Sequence, residues 1–329
     1  MLQKINLANL PTKIIKAERL SKELGVNLYI KRDDQTGSEI SGNKIRKLEY
    51  ALKEAKDRGC TTVITTGGIQ SNHCRATVAA SVMLGLRPVI LLRIKDQAQT
   101  HKAEGNFFLN KLFGAEVRFC SPEEYRDSRN EIMASIAKEL EKKGERCYVI
   151  PEGASFGIGS AGYYDAMKEI VSQERELGVA FDTVAVAVGS GGTYSGLVVA
   201  NRELNLNRRV IGFAVCDDTE HFVNCIDKIN GEFLQLMGKD MNLVPKSAIE
   251  INDGYVGIGY AISRPEELEF IKYVAKTEAL VLDPVYTGKA MYGLYNEVKK
   301  GDIKSGSNIL FIHTGGLFGL FPKQEEFTW

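Results

Sequence analysis

Two lysines three positions apart, Lys44 and Lys47, directly follow Ser41-Gly42-Asn43. Around them Ile45, Leu48 and Leu52 recur at spacings of three and four, which predicts an amphipathic helix. Gly42 and Asn43 are turn and cap residues, so Lys44 falls in the first turn of that helix. A helix N-terminus is already partly positive, and cations there are disfavoured. Two lysines in one first turn therefore ask for an anionic ligand, or for an amine left uncharged because it is held as an imine. Lysines at helix starts are commonly just solvated, so the other motifs of the chain must decide.

The clearest of these follows the wholly apolar run 184–188: Gly189, Ser190, Gly191, Gly192 and Thr193. Glycines let the backbone curl until successive N–H groups point at one oxyanion, and a following helix adds its dipole. Such a turn is a phosphate cradle, or else a tight corner that lets helix and strand pack closely. It is not a P-loop, because no Gly-Lys-Ser/Thr is present, and no acidic residue about 20 positions on marks a dinucleotide site.

A third turn, Thr66-Gly67-Gly68-Ile69-Gln70-Ser71-Asn72-His73, again joins an apolar run to a helical pattern. Ser71 and Asn72 are cap residues, and the N–H groups beside them can bind a carboxylate-sized anion. No GxSxG surrounds Ser71 and no His–Asp couple accompanies it in the sequence, so a hydrolase triad is not supported. His73 and Cys74 read as packing residues. Two more turns complete the set: Asp283-Pro284-Val285-Tyr286-Thr287-Gly288-Lys289 and His313-Thr314-Gly315-Gly316.

These turns must be carried by short apolar runs, at 28–31, 63–66, 89–92, 116–119, 148–150, 184–188, 210–213, 280–282 and 309–312. Most are followed by a helical pattern, the longest spanning 122–143. Continuous rather than alternating apolar strands predict parallel sheets covered on both faces, with the turns along the carboxyl edge where ligands bind. The fold class is α/β. Two sets of strands suggest two parallel-sheet domains with a cleft between them: a smaller one at 52–155, and a larger one from 1–51 and 156–329.

Composition narrows the function. In 329 residues, 42 Lys+Arg balance 42 Asp+Glu, so no basic excess points to nucleic acid. Met1-Leu2-Gln3-Lys4 lacks the apolar run of a signal peptide, and no stretch approaches the roughly 20 apolar residues of a membrane span. Six scattered cysteines without a CxxC read as reduced thiols of a cytoplasmic protein. Four histidines, never at ligand spacing, argue against a metal enzyme.

The segment Gly42-Asn43-Lys44-Ile45-Arg46-Lys47-Leu48-Glu49-Tyr50 resembles the cofactor-lysine segment of pyridoxal-phosphate enzymes of the tryptophan synthase β class. More narrowly, the chain resembles the group holding D-cysteine desulfhydrase and 1-aminocyclopropane-1-carboxylate deaminase. The likeness runs nearly end to end, from Ile30-Lys31-Arg32-Asp33-Asp34 to Phe311-Ile312-His313-Thr314-Gly315-Gly316. It implies pyridoxal 5'-phosphate held by Lys44 as a Schiff base, with Lys47 and Gly189, Ser190, Gly191, Gly192 and Thr193 at the phosphate. Asn72 would bond the ring hydroxyl oxygen. Ser71, Asn72 and His73 would fix the substrate carboxylate, with Ser71 a candidate nucleophile or proton carrier. Tyr286 would face the substrate and assist the leaving group, with Tyr260 nearby. Thr287 and Thr314 would lie near the pyridine nitrogen or the substrate.

The resemblance thus implies a lyase acting on a small amino acid, and a homodimer. D-cysteine, eliminated to pyruvate, sulfide and ammonia, is the first expectation. Ring opening of 1-aminocyclopropane-1-carboxylate, sulfite elimination from L-cysteate and a non-catalytic cofactor-binding protein are the alternatives. Ring-opening members carry a glutamate after the Tyr of Asp-Pro-Val-Tyr and a leucine before the final Gly-Gly, where this chain has Thr287 and Thr314. Ser41, Ala154, Ile258, Ala261 and Phe318 also depart from the family pattern, near the substrate side.

Overall fold

Strands apolar on both faces cannot stay in water on either, and the chain buries them in two separate sheets. The computed structural model describes residues 2–95 and 102–329; His101, one of the four histidines, lies outside them. The chain opens with β1 (Ile14–Lys16), α1 (Glu18–Leu24), β2 (Asn27–Lys31) and α2 (Lys44–Asp57). A run of βα units follows: β3 (Thr62–Gly68), α3 (Asn72–Met83), β4 (Arg87–Arg93), α4 (Gly105–Leu112), β5 (Glu116–Cys120), α5 (Pro122–Glu141) and β6 (Cys147–Val149). Next come α6 (Gly157–Leu177), β7 (Thr183–Val188), α7 (Gly192–Glu203), β8 (Arg209–Ala214), α8 (Thr219–Met237) and β9 (Glu250–Asn252). The chain closes with α9 (Pro265–Glu278), α10 (Thr287–Lys300), β10 (Asn308–Ile312) and α11 (Leu317–Leu320).

The larger sheet has the order β1-β2-β10-β7-β8-β9 and the smaller β5-β4-β3-β6. All their pairings are parallel except β1 with β2. The fold is thus the α/β class expected, with two parallel sheets. Among the described residues no helix is long and apolar enough to cross a membrane.

One expected strand is not there. The run 280–282 forms no ladder; it meets the chain just after β10, a strand already paired on both sides with β2 and β7. Leu280 and Leu282 are buried all the same, and the Val281 carbonyl accepts from His313 Nε2 at 2.9 Å. The short edge strands β1 and β9 are half-exposed and too weakly apolar to be seen in the sequence.

Helix α2 carries Lys44 and is buried on nearly every side. Ile45, Leu48, Ala51 and Leu52 pack in one cluster with Val63, Ala76 and Tyr148 of the smaller sheet's layers. Its other side meets α6 at Gly162, where a Cβ would stand 2.4 Å from the Arg46 carbonyl oxygen. Side chains then lock the contact. Arg46 Nε lies 2.9 Å from Asp33 Oδ2, and its NH1 lies 2.9 Å from Glu169 Oε2. Tyr163 and Thr12 donate to the same Asp33 carboxylate, at 2.5 and 2.7 Å, and Lys31 pairs with Glu169. An ion network this dry keeps its charges only because each is multiply bonded. Its effect is to fix the register and tilt of α2, and with them the place of Lys44.

Candidate active site

At the carboxyl ends of both sheets the turns converge on one cleft. Lys44, Ser71, Asn72, His73, Gly189, Ser190, Gly191, Thr193, Tyr260, Tyr286 and Thr314 all line it. Asn43, Glu152 and Gly153 line it too.

Lys44 is the first residue of α2, as its spacing predicts, but Asn43 does not cap the helix with its side chain. The Asn43 amide instead donates to Thr193 Oγ1 at 2.9 Å, and its oxygen accepts from Lys44 Nζ at 3.1 Å. Before it, Gly42 sits at φ +104°, where a Cβ would be 2.9 Å from the Thr314 carbonyl oxygen. Burial pushes the Lys44 ammonium down to about 8, against the opposing pull of Glu152 and Asp283. A lysine so placed is ready to act as nucleophile or base near neutral pH.

Lys47, one turn on, is fully buried and held well below its ordinary value by burial, with the Lys44 charge adding to the effect. Its Nζ meets only a hydroxyl, Ser155 Oγ at 3.2 Å. Ser155 Oγ in turn lies 2.8 Å from Ser190 Oγ and accepts the Gly192 N–H at 3.1 Å. The loop after β7 therefore brings together a cation, two hydroxyls and the N-terminus of α7. Gly192 has no room for a side chain, since a Cβ there would stand 2.8 Å from Ser155 Cα. Buried cations are found paired, and a phosphate is the partner this pocket fits.

Across the cleft, Ser71 is the N-cap of α3, its Oγ accepting the Cys74 N–H at 3.1 Å. The Asn72 and His73 N–H groups are left as open donors of the first helical turn. The Asn72 oxygen accepts from Asn106 Nδ2 at 2.8 Å, so its amide NH₂ is the group free for a ligand. The His73 ring turns away. Thr65 Oγ1 donates to Ile150 O at 2.8 Å and so must accept from His73 Nε2, 2.7 Å away. Burial, then the charges of Lys44 and Lys47, holds this imidazole neutral, well below its usual value. His73 can serve a carboxylate through its backbone N–H, not its ring.

Tyr286 and Tyr260 face each other with hydroxyl oxygens 2.6 Å apart, and Lys44 Nζ lies 5.9 Å from the Tyr286 ring centre. Burial keeps both phenols protonated, Tyr260 up to about 12 and Tyr286 well above its ordinary value, so they are acids here, not bases. Thr287, expected near the substrate or the ring nitrogen, is not brought to the cleft. Its Oγ1 donates to Asp283 Oδ1 at 2.7 Å and accepts the Asp283 N–H at 2.8 Å. It sits behind Tyr286 because the Asp-Pro turn closes onto itself through this side chain. Thr314 does reach the cleft wall.

Sequence reasoning passed over Ser155, Glu152 and Asn106. Ser155 follows a turn at Gly153 (φ +67°) and Ala154 (φ +49°), and nothing in the local sequence announces its reach to Gly192. For Asn106 the only signal is the Gly-Asn start of α4.

A buried lysine at one helix start, a turn that fits a phosphate at a second and open N–H groups at a third match the needs of a pyridoxal-phosphate-dependent enzyme. A family model described as "Pyridoxal-phosphate dependent enzyme" matches residues 5–315, and the chain belongs to that family, with pyridoxal 5'-phosphate as its cofactor. It is 43% identical over 328 residues to the Arabidopsis thaliana "Bifunctional D-cysteine desulfhydrase/1-aminocyclopropane-1-carboxylate deaminase, mitochondrial", covering 98% of this chain and 80% of that one. It is 37% identical to the "D-cysteine desulfhydrase" of Serratia proteamaculans, over 98% and 96% of the two chains. A crystal structure titled "ACC deaminase homologue" superposes with a TM-score of 0.89 at 37% identity, over 98% of this chain and 94% of that one. O-ureido-L-serine synthase shares the fold, with a TM-score of 0.67 at 14% identity over 96% and 94% of the chains. The chain is a pyridoxal-phosphate-dependent lyase of the D-cysteine desulfhydrase and 1-aminocyclopropane-1-carboxylate deaminase group.

Proposed function

We propose that this lyase acts on D-cysteine, with water as second substrate, giving pyruvate, hydrogen sulfide and ammonia. The observation that carries elimination is a base and an acid on facing walls: Lys44, pushed down to about 8, and the Tyr286–Tyr260 hydroxyl pair. The names of the relatives supply the substrate class.

In this reading Lys44 holds the cofactor, Lys47, Ser155 and residues 189–193 take its phosphate, and Asn72 its ring hydroxyl. When bound, pyridoxal 5'-phosphate supplies an electron sink for charge developing at Cα. The α3 N-terminus orients the substrate carboxylate through the N–H groups of Asn72 and His73, beside Ser71 Oγ. Lys44 Nζ removes the Cα proton; its value of about 8 leaves a useful fraction of neutral amine near physiological pH, where an ordinary lysine has almost none. Tyr286 Oη, steadied by Tyr260, hands a proton toward the departing sulfur. The Cβ–S bond breaks with its electron pair on sulfur, and water completes the release of pyruvate and ammonia. A division into 52–155 and the remainder, a homodimer and a cytoplasmic location belong to the same reading, the last supported by six free cysteines.

Opening of 1-aminocyclopropane-1-carboxylate is the second reading, favoured by the bifunctional Arabidopsis relative. The test is side-by-side kcat/KM of the purified holoenzyme on D-cysteine, L-cysteate and 1-aminocyclopropane-1-carboxylate. Sulfide and pyruvate from D-cysteine are expected to dominate. Efficient 2-oxobutyrate release from the cyclopropane, without sulfide from D-cysteine, overturns the proposal.

A further inference from the structure

Among the residues lining the cleft, Glu152 is the single carboxylic acid. It stands at the end of β6, where the chain must turn sharply to reach Ser155. Gly153, at φ +67°, makes that turn against the phosphate loop, and a Cβ on it would stand 2.3 Å from Ser190 Oγ. Backbone bonds from Ala154 N to Pro151 O (2.9 Å) and from Ser155 N to Glu152 O (3.3 Å) fix the corner. Glu152 is therefore held on the cleft wall by the same turn that builds the phosphate site.

Its carboxylate meets the Tyr125 hydroxyl but has no close cation to neutralise it. Arg129 Nε is the nearest cation, 4.0 Å from Oε2, and that guanidinium is committed to the Tyr125 and Arg126 carbonyls of α5, at 3.2 and 3.4 Å. Arg93 stands over the outer ring face of Tyr260, 5.4 Å from its centre. Neither arginine lines the cleft. Asp283, the other acid felt by Lys44, is spent on the N–H groups of Val285, Tyr286 and Thr287. Glu152 acts electrostatically on Lys44, Tyr260 and Tyr286 together, the groups that surround the reacting atoms.

We propose that Glu152 is a specificity-determining residue that, alongside D-cysteine, admits amino acids with a cationic substituent at Cβ such as 2,3-diaminopropionate and rejects anionic ones such as cysteate. This rests on the reading above, in which an amino acid occupies the cleft. An amine leaves a carbon only in its protonated form, and a neighbouring carboxylate favours that form. Glu152 thus binds the β-ammonium and preserves it as a leaving group. Lys44 takes the Cα proton, the Cβ–N bond breaks with its electron pair on nitrogen, and ammonia departs. With one water the balance closes at one pyruvate and two ammonia, and no oxidant or reductant is required. A sulfonate in the same place would face the carboxylate, and like charges brought together in a desolvated cleft repel.

Two measurements on the holoenzyme test this. Turnover of 2,3-diaminopropionate, both enantiomers, should exceed that of cysteate by tenfold or more in kcat/KM, and Glu152→Gln should shrink that ratio at least tenfold, chiefly through KM. Independently of turnover, spectral titration should give 2,4-diaminobutyrate, which has no leaving group at Cβ, a Kd at least tenfold below that of its uncharged counterpart 2-aminobutyrate. Glu152→Gln should abolish the difference. Equal affinity in the wild type, or a preference that survives Glu152→Gln, overturns the inference. The titration needs no sulfide chemistry, so it can fail while D-cysteine is turned over, and succeed while D-cysteine is not.

Discussion

Lys47 Nζ lies 3.2 Å from Ser155 Oγ, a contact that joins α2 to the turn after β6 across 108 residues of chain. Ser155 passes it on to Ser190 and Gly192. Among the described residues no acid offsets the cost of burying this ammonium, and the charge that acts on it is the like charge of Lys44. The site is therefore strained until an anion arrives.

Removing that charge should move the apoprotein and the holoprotein in opposite directions. Lys47→Met deletes a buried amine whose charged form has no partner, so the apoprotein should melt higher. The loaded protein loses a charge-assisted bond to phosphate, worth roughly 1.5–3 kcal/mol, which corresponds to about a 10- to 100-fold weaker cofactor Kd. Melting curves of both forms and a cofactor titration check this. A lower melting point for the apo variant would make Lys47 structural.

Lys44 carries a pH prediction. Burial lowers its folded value to about 8 from an ordinary 10.5, so the neutral amine grows as pH rises toward and past 8. Capture of pyridoxal 5'-phosphate by the apoprotein should accelerate between pH 6 and about 8 and then level off, as read by stopped-flow absorbance. The stability sign follows from the same shift. Between about 8 and 10.5 the unfolded lysine binds more protons than the folded one, so the apoprotein gains stability as pH rises through that window. Lys44→Met should lose this dependence along with turnover. A capture rate still climbing steeply at pH 10 would contradict the low value.

The sequence made the sheets legible because strands buried on both faces carry unbroken apolar runs, as in β7 and β4. It made Lys44 and the Gly189–Thr193 turn legible because glycines and charges at helix starts are chemically conspicuous. It could not show Ser155 or Glu152, whose importance comes from Gly153 bending the chain into another element's loop. Nor could it show that Asn43 would give up capping to hold Thr193 and Lys44. The run 280–282 misled for a related reason. Apolar residues such as Leu280 and Leu282 mark burial, but strand formation also needs an unpaired neighbour, and β10 is paired on both sides.

Thr287 illustrates how one hydroxyl can be read two ways. Set beside Tyr286, it looks like a substrate contact, yet it is bonded twice to Asp283, which also accepts the Tyr286 N–H at 3.0 Å. Thr287→Val should therefore cost stability, about 1–3 kcal/mol for a buried donor, the Asp283 N–H, left unsatisfied, and lower kcat by disturbing the Tyr286 backbone. The kcat/KM ratio of D-cysteine to 1-aminocyclopropane-1-carboxylate should stay within about threefold, because no contact to substrate is lost. Thr314→Val, on the cleft wall, should move that ratio more. If the Thr287 variant alone shifted discrimination tenfold, the hydroxyl would have to reach the substrate in the loaded enzyme.

Ser71 separates a cap from a reacting group. Its Oγ accepts the Cys74 N–H at 3.1 Å, which satisfies one of the open donors of α3. Ser71→Ala removes this acceptor and should cost about 1 kcal/mol as a lost N-cap. Ser71→Asp would restore a cap, yet place a negative charge where the substrate carboxylate must sit. The cap role alone predicts that alanine destabilises while aspartate rescues, with turnover following stability in both. A proton-handling and carboxylate-orienting role predicts that turnover falls at least 100-fold in both, whatever the melting point does, while cofactor absorbance persists because the phosphate cradle lies across the cleft. We expect the second pattern: Ser71 lines the cleft facing Lys44 and the tyrosine pair, and its hydroxyl proton, unused by the cap, is free for the substrate.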